Sequence, residues 1–374
     1  MIERTIKEQL KDDFSRNKVI VITGARQVGK TTLVNELAHC MQKTLMLNCD
    51  NIDDRMALEN KTSTQLRTLL SGYDLVFIDE AQRVSNIGLT IKMIGDLHLS
   101  TRIIVTGSSS LELAEGIYEP ATGRHIDHQL FPLSIEELVR HTTIREERRM
   151  LETRLVYGFY PEVVTTPTDA KRILMSLSND YLYKDLLSYK GVKKPEVLQK
   201  LLRALALQLG SEVSYNELAN LLGIDKTTVE NYIGLLEKCF VIFRLDSFSR
   251  NLRNEIKKGK KIYFYDNGIR NAIIANFAQP ELRNDMGALW ENLMISERKK
   301  RNIYASTYAQ MYFWRTHEQK EIDLVEEVDG MFHAYEFKWN GKVRASLPTP
   351  FAISYPDSTF EIVTPDNYLP FVCK

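Results

Sequence analysis

The stretch Gly24-Ala25-Arg26-Gln27-Val28-Gly29-Lys30-Thr31 constrains the fold of this chain more than any other. Ahead of it stands a β-branched apolar run, Val19-Ile20-Val21-Ile22-Thr23, which reads as a buried parallel strand. Behind it, Thr32-Leu33-Val34-Asn35-Glu36-Leu37-Ala38 opens a helix. Strand, glycine loop and helix form the context in which GxxxxGK[ST] binds phosphate. Gly24 and Gly29 let the backbone turn, so that the N–H groups between Ala25 and Thr32 face phosphate oxygens. The helix start adds partial positive charge. Lys30 is placed to reach the β- and γ-phosphates of ATP, and the Thr31 hydroxyl to ligate Mg²⁺.

Further along, Asp74-Leu75-Val76-Phe77-Ile78-Asp79-Glu80 is an apolar strand ending in two carboxylates. Behind a phosphate loop this is the Walker B pattern. Asp79 is expected to hold Mg²⁺ through water, and Glu80 to orient and activate the attacking water. The next apolar strand, Arg102 to Gly107, ends in Ser108-Ser109-Ser110. Ser108 suits a sensor of the γ-phosphate, and three serines equally suit the cap of the helix that follows.

At 374 residues the chain exceeds one ordinary core, so two or three domains are expected. Its 44% hydrophobic and 26% charged content is that of a soluble globular protein. Formal net charge is zero, so binding to nucleic acid or membrane requires a local patch. No run approaches the roughly 18 apolar residues of a membrane span, and the N-terminus has no apolar signal core. Cys40, Cys49, Cys239 and Cys373 lack CxxC spacing and fit reduced thiols, hence a cytoplasmic location.

GARQVGKTT, LVFIDEAQ and TGSSS, with Gly123-Arg124 and Leu130-Phe131-Pro132-Leu133-Ser134 behind them, resemble the AAA-type ATPases widespread in bacteria and archaea. The resemblance covers nearly the whole chain. It implies an AAA+ core with parallel strand order 5-1-4-3-2. It also implies a homo-oligomer, in a hexameric ring, with nucleotide at subunit boundaries. In such a ring Arg124 becomes the arginine finger given to a neighbour. Without the resemblance it reads as a surface arginine. Arg26 and Arg83 are lesser candidates for phosphate or subunit contacts.

Past a helix-rich connector, residues 195–262 carry the winged helix-turn-helix pattern. Ser214 caps a short helix, Gly223-Ile224-Asp225 turns, and a second helix runs from Lys226 to Lys238. Lys226, Thr227, Thr228 and Asn231 suit phosphates and base edges. Lys257, Lys258, Lys260 and Lys261 form a basic run that could track phosphates as a wing. Such modules also serve as protein-contact domains, and the run also reads as a solvated hairpin tip.

In the last domain Glu291 on a helix, Asp323 on a strand, and Glu336 with Lys338 on the next strand resemble the PD-(D/E)XK nuclease core. There, carboxylates hold a metal and a lysine helps activate water. The bland alternative is a cross-strand set of salt bridges. The expected domains are 1–140 (ATPase core), 141–194 (helical lid), 195–262 (winged helix) and 263–374 (restriction-nuclease-like α/β domain). The expected function is Mg²⁺-dependent ATP hydrolysis coupled to binding or remodelling DNA, branched and single-stranded forms included. An ATP-gated nuclease and an ATP-switched protein-binding module are the alternatives.

Overall fold

The computed structural model describes residues 1–108, 123–180, 192, 194–249, 259–316 and 318–374. Contacts divide the chain into two compact units: residues 1–133 with 238–240, and residues 134–237 with 241–374. No described helix is long and apolar enough to cross a membrane.

The first unit is built on five strands: β1 (Val19–Thr23), β2 (Thr44–Asn48), β3 (Leu75–Asp79), β4 (Arg102–Gly107) and β5 (His125–Gln129). All their pairings are parallel, in the order β2-β3-β4-β1-β5. This is the expected order 5-1-4-3-2 read from the other edge. Val19 to Ile22 and the whole of β3 are buried, because helices must cover both faces of a parallel sheet. On one face Val19, Val21, Val76, Ile78 and Val105 pack with Ile87, Ile91 and Ile94 of helix Ile87–Asp96. Residues two apart on a strand share a face, and helical residues three or four apart make the matching stripe. The carboxyl ends of β1, β3 and β4 lie side by side, where open α/β sheets bind ligands.

The second unit begins with helices Ile135–His141 and Ile144–Tyr157, each with a capped start. Ser134 and Glu137 form a full capping box, and the Thr143 side chain accepts from the Glu146 N–H. A seven-stranded sheet follows: β6 (Glu212–Val213), β7 (Ile242–Ser247), β8 (Lys260–Phe264), β9 (Gln310–Arg315), β10 (Glu321–Val328), β11 (Met331–Phe337) and β12 (Thr359–Val363). Their order is β12-β11-β10-β9-β7-β8-β6. Asp329 and Gly330, both at positive φ, turn β10 into β11 as a tight hairpin. The boundary expected between residues 262 and 263 falls inside β8, and one sheet runs across it. What joins the two sides is the parallel pairing of β7 with β9. That pairing lies between residues distant in sequence, so no local pattern announces it. An aromatic cluster around Phe248, with Phe351 and Tyr355, covers the β9–β11 region.

Buried polar groups are answered locally. The Asp266 carboxylate accepts N–H bonds from Phe159 at 2.7 Å and Ile269 at 3.1 Å. The Asn292 amide accepts from the Phe264 N–H and donates to its carbonyl, at 2.7 and 3.0 Å. An amide inserted this way does the work of a missing strand partner.

Candidate nucleotide site and the C-terminal carboxylate cluster

The loop between β1 and helix Lys30–Ala38 takes its shape from three residues. Gly29 has φ 98° and Gln27 φ 59°, both in the left-handed region. Gly24 lies so close to β5's exit that a Cβ there would stand 2.1 Å from the Leu130 carbonyl oxygen. Gly24 therefore has no room for any side chain. Lys30 is buried, and its ammonium donates to the Gly24 and Ala25 carbonyls at 2.9 and 2.8 Å. Its charge is thus held at the loop where phosphate oxygens would come. Thr31 and Thr32 are exposed at the helix start, Arg26 is half-buried, and Val28 is buried beneath the loop.

The Thr31 hydroxyl donates to Asp79 Oδ2 at 2.8 Å, joining residues 48 positions apart. Thr106, on the neighbouring β4, donates to Asp79 Oδ1. An alcohol oxygen and a carboxylate oxygen side by side are hard ligands suited to Mg²⁺. Among the described residues no group of three or more His, Cys, Asp or Glu is set to hold a metal. A nucleotide-borne Mg²⁺ needs none, since it takes one or two protein oxygens and fills its shell with phosphates and water. The residues therefore fit the ion.

Glu80 follows Asp79 with φ 51°, a left-handed conformation that non-glycine residues rarely adopt. The turn carries its side chain away from the strand. Its carboxylate accepts from Gln82 Nε2, and the same nitrogen donates to Ser108 Oγ at 3.0 Å. Ser108 is buried; Ser109 and Ser110 lie outside the described residues.

Two contributors had no strong sequence signal. Thr106 sits two positions ahead of Ser108 and reads there as strand interior. Arg4 precedes the first helix in a charged segment, yet it is buried. Its guanidinium donates to the Val28 carbonyl and to the Phe131 carbonyl, each at 2.6 Å. It ties the phosphate loop to the segment leaving β5. Nothing in the local pattern separates it from its charged neighbours.

Arg124 stands at the opposite end of its strand. Its carbonyl accepts from the Val19 N–H at 3.1 Å, where β1 begins, and its guanidinium pairs with Asp96 at 2.8 Å. That hydrogen bond holds the Asp96 carboxyl below its ordinary range. Five residues of β5 at about 3.3 Å each separate Arg124 from the loop end of the sheet. It does not reach its own nucleotide site. Arg83 pairs with Asp50 at 3.1 Å.

In the second unit the start of helix Lys226–Lys238 exposes Lys226, Thr227 and Asn231. Thr228 is engaged locally: its N–H and hydroxyl both donate to Asp225, at 2.8 and 2.7 Å, capping the helix. The basic run is corrected by the structure. Lys261 is buried, with its ammonium 3.0 Å from Glu291 and 2.5 Å from Glu321. It therefore cannot track phosphates. Side chains alternate along β8, so one of two adjacent lysines must point inward. Lys260 pairs with Asp246 at 3.3 Å, and Lys257 and Lys258 lie outside the described residues.

Glu291, Asp323 and Glu336 come near one another, each already engaged. Glu291 accepts from Lys261 and, at 2.6 Å, from the Tyr263 hydroxyl. Asp323 lies where the β9–β10 register shifts, and it accepts from the Phe337 N–H at 2.8 Å. Glu336 accepts from Lys338 at 2.6 Å. Burial, then the charges of Glu291 and Glu336, push the Asp323 carboxyl up to about 8. Burial works against the charge of Lys261, but Glu291, Glu321 and Asp323 more than offset it and hold the ammonium protonated.

Residues 16–139 match an AAA domain family, AAA_14. Residues 148–280 and 286–367 match two domains of unknown function, DUF8612 and DUF4143. An uncharacterized protein of Haemophilus influenzae is 25% identical over 298 residues, which is 72% of this chain and 73% of the relative. One of Mycobacterium tuberculosis is 26% identical over 356 residues, 92% of this chain and 75% of the relative. Among solved structures, a Walker-type ATPase of Pyrococcus abyssi matches with a TM-score of 0.51 at 15% identity. That match covers 73% of this chain and 96% of the other, and it is a likeness of fold. With the loop and carboxylates in place, the first domain is an AAA-type P-loop ATPase domain, and its class of activity is nucleotide hydrolysis.

Proposed function

We propose that this chain is a Mg²⁺-dependent, homo-oligomeric AAA+ ATPase that couples ATP hydrolysis to binding or remodelling DNA. The observation that carries the first half is the 2.8 Å contact between Thr31 and Asp79, with Glu80 next in the chain and Lys30 on the loop. Lys30 neutralises phosphate charge, Thr31 and Asp79 hold the ion, and Glu80 accepts the proton of the attacking water. The ion, when bound, offsets charge building on the transferring phosphoryl group. Arg124 acts on a neighbour's nucleotide, which accords with its distance from its own.

DNA is the favoured target because of the second unit's order of elements. Helix Tyr215–Leu222, a turn at Gly223 with φ 65°, helix Lys226–Lys238 and the strands β6-β8-β7 support our reading of this segment as a winged helix. Helix Met286–Tyr304, strands β9, β10 and β11, a short helix and β12 support our reading of the last part as a restriction-nuclease-like domain. We read that domain as non-cleaving. Lys261 pairs with Glu291, and Lys338 with Glu336, so two of the acids are already engaged by cations of the chain.

The decisive experiment compares the wild type with Glu80→Gln. The variant is expected to bind ATP with unchanged affinity and to lose about 100-fold or more in turnover, the usual scale for a general base. Equal turnover in the two proteins would remove Glu80, and with it the Walker B assignment.

A further inference from the structure

We propose that Gln82 is a positioning residue which locks the base Glu80 and the sensor Ser108 into one unit. The proposal rests on the ATPase reading above and extends it to a side chain with no role so far. Gln82 lies in a short 3-10 turn, Ala81–Arg83, that opens from the left-handed Glu80. The reversal folds residue 82 back over residue 80.

The orientation of the amide is dictated by chemistry. An ionised carboxylate only accepts hydrogen bonds, so Gln82 must turn its NH₂ toward Glu80. That nitrogen carries two hydrogens. One serves Glu80, and the other reaches Ser108 Oγ at 3.0 Å. Ser108 is therefore an acceptor toward Gln82, and its own hydrogen is left to point elsewhere. Donation to a γ-phosphate oxygen is what a sensor requires. A flipped amide would set its oxygen against the carboxylate and leave Ser108 to spend its hydrogen on Gln82.

A second observation agrees. Gln82 Oε1 is buried and has no hydrogen-bond partner among the described residues. Folded proteins rarely leave such a group unanswered. A glutamine kept only for packing would favour an arrangement that satisfies both ends. Here the oxygen has no partner among the described residues while the nitrogen serves two active-site groups, so the two contacts set the position.

The test uses the full chain and four variants: Gln82→Ala, Gln82→Glu, Ser108→Ala and the Gln82→Ala/Ser108→Ala pair. Gln82→Ala is expected to lower kcat on the order of tenfold while KM for ATP and the thermal midpoint stay near wild type. Gln82→Glu keeps the size but replaces the donor with a second carboxylate. It should be at least as slow as Gln82→Ala. If the two side chains act as one unit, the double variant should lose less than the product of the two single losses. Wild-type kcat in Gln82→Ala, or full additivity in the double variant, overturns the proposal. Wild-type protein is assayed alongside Glu80→Gln. If those two do not differ, the ATPase reading itself has failed. If they differ and Gln82→Ala is normal, only the role of Gln82 has.

Discussion

Lys261 and Asp323 show how one buried position sets the character of a whole region. Lys261 sits between Glu291 and Glu321, and Asp323 feels Glu291, Glu336 and Lys261 together. Burial disfavours the charged carboxylate, and the nearby charges of Glu291 and Glu336 add to that, so Asp323 keeps its proton to about pH 8. An unfolded aspartate releases it near pH 3.9. Between those values the folded state holds a proton that the unfolded state has lost, so rising pH favours unfolding. Asp323 alone should cost the fold up to about 1.4 kcal/mol per pH unit across that window. Asp323→Asn removes the titration and can keep the bond from the Phe337 N–H. Urea midpoints from pH 5 to pH 8 should therefore shift steadily in favour of the variant. Curves that run parallel for the two proteins would show that Asp323 does not titrate in this range.

The helix Lys226–Lys238 illustrates what an element owes to its own residues. Ser214 caps the preceding helix, Gly223 takes the left-handed turn that ends it, and Asp225 caps the next. All three roles are local, and the pattern is legible residue by residue. The face presented is not. Thr227 and Thr228 look alike in sequence, yet Thr228 is committed to Asp225 while Lys226 and Asn231 remain exposed. On the DNA reading, Lys226→Ala weakens binding to short duplexes of any sequence and lowers the salt slope by about one. Asn231→Ala changes preference among sequences. Fluorescence anisotropy between low and physiological salt measures both. Affinity that ignores salt, or ignores both substitutions, would favour a protein-contact role for this helix.

At the scale of the molecule, the parallel order β2-β3-β4-β1-β5 puts the phosphate loop at one end of the sheet and Arg124 at the other. A subunit cannot supply this arginine to itself. On the oligomer reading, Arg124→Ala should therefore lose turnover by about three orders of magnitude or more while still binding ATP, the scale associated with arginine fingers. Lys30→Ala should be inactive for a different reason. Mixed together, the two should regain activity, since Lys30→Ala subunits can lend Arg124 to intact loops. Failure of the mixture, or an active Arg124→Ala protein, would argue that the nucleotide site is complete within one chain.

The sequence by itself determined the elements that frame the candidate nucleotide site. Loop, Walker B strand and sensor strand are short contiguous patterns, and their chemistry follows from residue type and spacing. Parallel strands buried on both faces announce themselves by apolar runs, so the first sheet was legible too. Only the tertiary structure decided what depends on distant pairs. It joined β7 to β9 in one sheet, set Arg4 under the loop, and buried Lys261 among carboxylates. A charge on a strand can serve solvent, substrate or a buried partner, and the choice is made by what packs against it. That neighbour lies far away in the chain, where no local pattern can name it.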